Sequence, residues 1–319
     1  MKVTLISTLL NEASSLGEFL EGIDRQTRPP DEVVIVDGGS TDGSLEMLRR
    51  WAAGREGARI ESVPGANISA GRNAAIERAT GDVIAVTDAG CTLDAGWLAA
   101  LVAGFEQDDA DVVMGFYAPD PRSRFERILA CLNLPDAAEV DAESFMPSSR
   151  SVAFRKETWE QAGRYPEWLA IGEDMLFNFR VRDMGARRVF APDAVVRWRL
   201  RPDLASTMRQ YFRYGEGDGR AGMYPQRHAL RFATYAGAGV VALLARRRPG
   251  LVAVAPLAAV ARMRPAYRRA FARLELPEAL LALAALPALE LAIDLAKMAG
   301  YLSGRIAGGP PNPAAERQT

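Results

Sequence analysis

Short apolar runs alternate with segments of helical period through the first half of the chain, the pattern of parallel strands joined by crossover helices. Strands are predicted at Lys2–Leu9, Val33–Val36, Arg59–Val63, Val83–Val86 and Asp111–Tyr117, with helices at Leu16–Gln26, Ser44–Ala53, Ser69–Ala79 and Ala95–Phe105 between them. Asp120–Met146 carries a weaker signal, with one helical stretch at Arg124–Leu134. Ser151–Phe154 and Val189–Phe190 again read as strands, and Asp174–Met184 between them has helical period. These elements predict an α/β, Rossmann-like fold, a mainly parallel sheet flanked by helices. In such a sheet the loops after the strand carboxyl ends line the ligand crevice. Asn11–Glu12, Asp37–Asp42 and Asp88 all fall on that edge.

Beyond Pro202 the chain turns to Ala, Leu, Arg and Gly. Phe232–Ala261 holds two apolar runs of about 13–14 residues separated by Arg246-Arg247-Arg248-Pro249, each short of the ~20 residues a spanning helix needs. Ala279–Leu302 is longer but contains Glu290, Asp294 and Lys297, spaced to share one helical face. It therefore reads as an amphipathic interfacial or packed helix, with a shallow or re-entrant membrane association preferred to a clean span. The tail Gly308–Thr319 is small, Pro-containing and charged, and is expected to be disordered. The expected organisation is thus 1–223, an α/β domain; 224–307, a helical, apolar and basic, membrane-associated region; and 308–319, a tail.

The chain of 319 residues has a net charge of only −1, yet its charge is unevenly spread. Arg197–Glu275 contains 16 arginines against four acids, about +12, leaving about −13 elsewhere. That asymmetry points to an anionic partner for the C-terminal part, a membrane surface being favoured over a solvated basic face. No nucleic-acid reading element accompanies the arginines, so no nucleic-acid partner is expected. The two cysteines, Cys91 and Cys131, match no metal or disulfide framework. The single histidine, His228, leaves carboxylates as the default catalytic groups. Met1–Leu10 reads as a strand and not as a secretion signal, so Asn67-Ile68-Ser69 is not taken as a glycosylation site.

Five motifs carry the chemistry. Asn11-Glu12 follows the first strand. Asp37-Gly38-Gly39-Ser40-Thr41-Asp42-Gly43-Ser44 follows the second; its carboxylates can accept from a base N–H or ribose hydroxyls and its glycines admit a ligand to the backbone, although a capped turn explains it equally. Ser69-Ala70-Gly71-Arg72-Asn73 opens a helix and offers a guanidinium suited to a base or diphosphate. Thr87-Asp88-Ala89-Gly90-Cys91 ends the buried strand. Ile171-Gly172-Glu173-Asp174 starts a further helix, where acids also favour the positive helix end.

In this order the five motifs resemble those of the family 2 glycosyltransferases, and the resemblance covers about Met1–Met223. It implies a GT-A fold and inverting transfer of a sugar from a nucleotide diphospho-sugar. Glu12, Asp37, Arg72 and Asp88 are then the nucleotide-sugar-binding residues, and Asp174 is the general base. Gly38 and Gly90 stand where the family often has aspartates. Gly90 is the important departure, because the second acid of the family's Asp-x-Asp commonly holds Mg²⁺ or Mn²⁺ against the diphosphate. Asp88 could hold the metal with the diphosphate and waters, Asp94 could reach in, or no metal could be required.

Gln210-Tyr211-Phe212-Arg213-Tyr214 reads like the Gln-x-x-Arg-Trp motif of membrane-linked members. Gln210, Arg213 and Tyr214, with Glu173, are accordingly expected on the acceptor and diphosphate side. The implied partners are a nucleotide-sugar donor, a lipid-linked or polysaccharide acceptor and a membrane surface, with the protein at the cytoplasmic face of the cell membrane. The rival reading is a non-catalytic nucleotide-sugar or partner-binding GT-A protein with a degenerate metal site.

Overall fold

A computed structural model describes residues 1–248, 250 and 254–309. Eight strands form one sheet in the order β3-β2-β1-β4-β7-β6-β8-β5. The first half alternates as the sequence pattern predicts. β1 (Val3–Leu9) leads to α1 (Ala13–Asp24), β2 (Glu32–Asp37) to α2 (Ser44–Ala52), β3 (Ala58–Ser62) to α3 (Ile68–Arg78), and β4 (Val83–Val86) follows. β1 pairs in parallel with β2 and β4, and β2 with β3. Every residue of β2 and β4 is buried, as expected of strands covered on both faces, which read as continuous apolar runs.

Alternate side chains feed two cores. Leu5, Leu9, Val33, Ile35, Val83 and Ala85 pack with Leu16 and Phe19 of α1 and with Trp97 and Leu101 of α4 (Trp97–Asp108). Ile6, Val34, Val36, Ile84 and Val86 face the other way, onto Ala75 and Ile76 of α3, Trp159, Tyr165 and Phe177.

The far half of the sheet is mixed. β5 (Cys91–Leu93) precedes α4, then come β6 (Val112–Pro119), α5 (Arg124–Asn133), β7 (Val152–Arg155), α6 (Lys156–Gln161), α7 (Glu173–Asp183) and β8 (Arg188–Trp198). β7 runs antiparallel between β4 and β6, and β5 antiparallel to β8. β8 is much longer than the predicted Val189–Phe190. It pairs in parallel with β6 across a register shift, from Met114 opposite Phe190 to Phe116 opposite Val195. Pro192 and Asp193 fall in that shift and are exposed, which is why the alternating pattern is broken there.

Contacts divide the chain into two compact units, 1–120 with 136–199, and 121–135 with the described residues from 200 onward. The second unit thus takes α5 and also α8 (Leu204–Ala221), ahead of the expected boundary at 223, together with α9 (Pro225–Ala245), α10 (Val254–Arg273) and α11 (Leu276–Ala307). α8 and α11 meet through glycines. A Cβ on Gly215 would lie 2.3 Å from the Lys297 carbonyl oxygen, and one on Gly300 only 2.0 Å from that of Phe212. Only residues without side chains allow backbones so close.

The predicted shared face of Glu290, Asp294 and Lys297 is spent inside this unit. Asp294 accepts from Arg231 Nε at 2.5 Å and from the Tyr235 hydroxyl at 2.9 Å. Glu290 accepts from Arg262 Nε at 3.0 Å, and the Lys297 ammonium lies 4.8 Å from the Tyr211 ring.

Helix α9 runs 21 residues, longer than the apolar run it contains, because Pro225 starts it in a polar turn. It and the 32-residue α11 are both long and apolar enough to cross a membrane by length and composition. The expectation that the segment within α9 falls short of a span is corrected to that extent. Pro249 and residues 310–319, including most of the tail expected to be disordered, lie outside the described residues.

Candidate active site

The first two motifs are one structure. Asn11 sits at the end of β1 in the left-handed region, φ 58°. Its N–H donates to Ser40 Oγ at 2.8 Å and its side-chain oxygen accepts from the Thr41 N–H at 2.8 Å. The Glu12 N–H donates to Ser44 Oγ at 3.0 Å, and the Ala13 N–H to Asp42 Oδ2 at 2.9 Å. The β1 and β2 carboxyl ends are thereby laced together. Asp37 is fully buried and accepts from the Gly39 and Ser40 N–H groups at 2.9 and 3.1 Å. This is the turn that Asx chemistry favours, and Gly39, at φ +100°, supplies the conformation it needs.

The centre of the site is Arg72. Asn67 caps α3 by accepting from the Ala70 N–H at 2.9 Å, and Gly71 lets the helix approach β1, since a Cβ there would fall 2.1 Å from Thr8 Oγ1. Arg72 is thereby driven into the protein, 2% exposed. One Nη donates to Asp88 and the other to Glu173, both at 2.7 Å, and the guanidinium carbon lies 5.3 Å from the Tyr165 ring. Burial works against its charge, but Asp88 and Glu173 outweigh that and raise its pKa. Its Nε is buried without a partner. Asn73, the next residue, accepts from Trp159 Nε1 and the Tyr165 N–H at 3.2 and 3.1 Å, fixing the segment that leads to α7.

Glu173 and Asp174 open α7 behind Gly172, φ +82°. Burial, reinforced by the adjacent Asp174, pushes the Glu173 carboxyl up to about 7 against the opposing pull of Arg72. Asp174 is half-buried; its Oδ1 accepts from the Met175 N–H at 2.8 Å, and its Oδ2 accepts from Ser148 Oγ at 3.3 Å and the Ser149 N–H at 3.4 Å. Around Arg72 stand three carboxylates, with Arg150 the second cation, 3.9 Å from Asp88 Oδ2.

Arg150 was not among the predicted site residues. Its guanidinium carbon lies 4.4 Å from the Trp198 ring and it donates to Ser148 Oγ at 2.8 Å. The signal available for it was a lone arginine among serines just before a buried strand. Tyr165, whose hydroxyl shares a 2.9 Å hydrogen bond with Ser149 Oγ, gave no such signal and reads as core.

Glu12, Asp37, Arg72, Asp88, Glu173 and Asp174 all belong to the first unit, and Arg72 joins Asp88 to Glu173 directly. Gln210, Arg213 and Tyr214 lie on α8 in the second unit, where Gln210 donates to the Tyr214 hydroxyl at 2.8 Å. Asp94 is engaged elsewhere, accepting from Arg197 at 2.8 and 3.1 Å. Among the described residues no group of three or more His, Cys, Asp or Glu is arranged to hold a metal. Cys91 is buried, and burial followed by the nearby Asp88 pushes its thiol up to about 12, so it is no thiolate nucleophile.

A mixed, mostly parallel sheet flanked by helices, with acids gathered where its strands end, is the architecture of a GT-A glycosyltransferase. The sequence model of the family described as Glycosyl transferase family 2 matches residues 4–156. Glycosyltransferase AglE of Haloferax volcanii is 27% identical over 222 residues, 67% of this chain and 72% of that protein. The O-antigen chain rhamnosyltransferase RfbN of Salmonella typhimurium is 23% identical over 248 residues, again 67% and 72%. Among solved structures, the mannosyltransferase PcManGT from Pyrobaculum calidifontis, in complex with GDP-Man and Mn²⁺, superposes with a TM-score of 0.55 at 25% identity. That match covers 96% of this chain and 86% of the other. The chain carries a family 2 glycosyltransferase domain and is a glycosyltransferase.

Proposed function

We propose that the protein transfers a sugar from a nucleotide diphospho-sugar to a lipid-linked or cell-envelope glycan acceptor, with inversion, at the cytoplasmic face of a membrane. The observation that carries this reading is the Arg72 bridge, which ties the acid at the end of β4 to the acid pair that opens α7. The donor-side acid and the acceptor-side pair are thereby held together. Asp174, the one of the three acids that Arg72 does not pair with, takes the proton of the acceptor hydroxyl as its oxygen bonds to the anomeric carbon. The bond from that carbon to the diphosphate breaks on the opposite face, and the nucleoside diphosphate leaves with the electron pair. Glu12 and Asp37 stand on the nucleotide side, and Arg72 and Glu173 hold Asp88 and α7 in register. Gln210, Arg213 and Tyr214 are assigned to the acceptor and diphosphate side on the strength of their motif.

A divalent cation, Mg²⁺ or Mn²⁺, fits Asp88, whose side chain keeps 25% exposure and which stands two residues before the open space at Gly90. A Cβ at Gly90 would meet nothing nearer than 3.8 Å. When bound, such an ion would offset charge developing on the leaving diphosphate. RfbN, named an O-antigen chain rhamnosyltransferase, supports a glycan acceptor, and the exposed apolar residues of α9 and α11 support the membrane.

The test is incubation of the full chain with UDP-, GDP- and dTDP-sugars, with and without Mn²⁺, with the product's anomeric configuration read by proton NMR. One donor should turn over to an inverted product. Donor binding without turnover under every condition would favour the non-catalytic binding protein that Gly90 suggests, and a retained configuration would remove Asp174 from its role.

A further inference from the structure

We propose that Glu12 supplies, toward the divalent cation, the second carboxylate that Gly90 leaves out, with Asp88 supplying the first. This rests on the reading of the site as a diphospho-sugar donor site. Glycine at position 90 is not demanded by the fold. It has no positive φ, and a Cβ there would have a single neighbour within 4 Å. Gly71 and Gly81 differ, since a Cβ on either would overlap Thr8 or Thr4 at 2.1 and 2.6 Å. The one atom bordering the open space at Gly90 is a carboxylate oxygen, Glu12 Oε2, at 3.8 Å.

An aspartate at 90 would project into that same space. The longer side chain of Glu12, arriving from the end of β1, puts an equivalent hard oxygen donor beside it, the ligand type that Mg²⁺ and Mn²⁺ take. Its placement is enforced. The Glu12 N–H is fixed by Ser44 at 3.0 Å, both chain neighbours are tied to the β2 loop, and Oε2 accepts from Ser15 Oγ at 2.9 Å. A carboxylate offers about four lone-pair sites, so this one hydrogen bond leaves it able to face a cation. The chain thus exchanges a two-acid motif on one strand end for one acid on each of two adjacent strand ends, β4 and β1.

The roles open to Glu12, cation-side carboxylate or plain nucleotide contact, separate experimentally. Mn²⁺ is titrated into the full chain in the presence of UDP or GDP, with free Mn²⁺ followed by electron paramagnetic resonance. Nucleotide affinity is measured separately in EDTA. Glu12→Gln should weaken Mn²⁺ binding by about tenfold or more, a larger factor than any loss of nucleotide affinity it shows in EDTA. Adding Gly90→Asp to that variant should restore most of the Mn²⁺ affinity. The proposal is overturned if Glu12→Gln binds Mn²⁺ like the wild type, or if it loses nucleotide affinity in EDTA by the same factor. It is equally overturned if Gly90→Asp fails to rescue a doubly substituted chain with native circular dichroism and melting. A wild type that transfers sugar in EDTA and binds no Mn²⁺ with either nucleotide refutes the role of Glu12 and leaves the donor reading standing. A wild type that neither binds nucleotide nor transfers refutes both.

Discussion

Arg72 answers two carboxylates with a single buried charge, and its removal leaves the buried Glu173 without its cation partner. Breaking a buried ion pair by deleting one partner costs about 3–5 kcal/mol. Arg72→Met should therefore lower stability to urea by that order, and a loss below about 1 kcal/mol would show that the bridge is not structural. Glu173 gives a pH signature. Its folded pKa, up to about 7, lies above the ordinary 4.5, so the folded state holds the proton more firmly than the unfolded one. The stability this group contributes is complete below about 4.5 and is lost as the pH rises to about 7. Urea titrations between pH 5 and pH 8 should show that fall in the wild type and a flatter profile in Glu173→Gln; identical slopes would refute it. The sequence marked Arg72, Asp88 and Glu173 individually through their motifs. Their mutual hydrogen bonds join residues 101 and 16 apart, a relation no local pattern encodes. Arg150 was missed for the same reason, because its meaning comes from Asp88 and Trp198, which lie on other elements.

The strands and helices of the first half were legible because each is long enough, and buried on enough sides, for periodicity to show. Three elements were not. β5 has three residues, too few to alternate, and α6 has six, too few for a helical period. β8 is interrupted by its own register shift at Pro192 and Asp193. In the second unit the sequence revealed the polar face of α11 but not its partner. Gly215, Gly219, Gly300 and Gly304 matter only once α8 and α11 face each other, and a glycine inside a helix otherwise reads as a weakness. Gly300→Val would drive a side chain into the Phe212 carbonyl. Since backbone cannot give way cheaply, the cost should reach roughly 3 kcal/mol. Thermal melts check this, and an unchanged midpoint would mean that the two helices do not pack through these glycines.

At the scale of the whole molecule, α9 to α11 expose Leu230, Val240, Leu243, Leu244, Phe271 and Leu295 within a segment dense in arginine. An apolar surface with cationic edges suits an anionic bilayer interface. The full chain should therefore float with vesicles containing anionic phospholipid and less with zwitterionic ones, while recovery in the soluble fraction with both would contradict membrane association. The sequence disclosed this asymmetry through its charge count, but the 21-residue extent of α9 appeared only with the helix boundaries. The central claim is that the first unit transfers sugar with Asp174 as base, and single-turnover kinetics tests it most directly. Wild type and Asp174→Asn are each loaded with the nucleotide-sugar that turns over, then mixed with acceptor. Donor binding should be retained by the variant while transfer slows by about 10²–10⁴-fold; transfer at the wild-type rate would contradict the account.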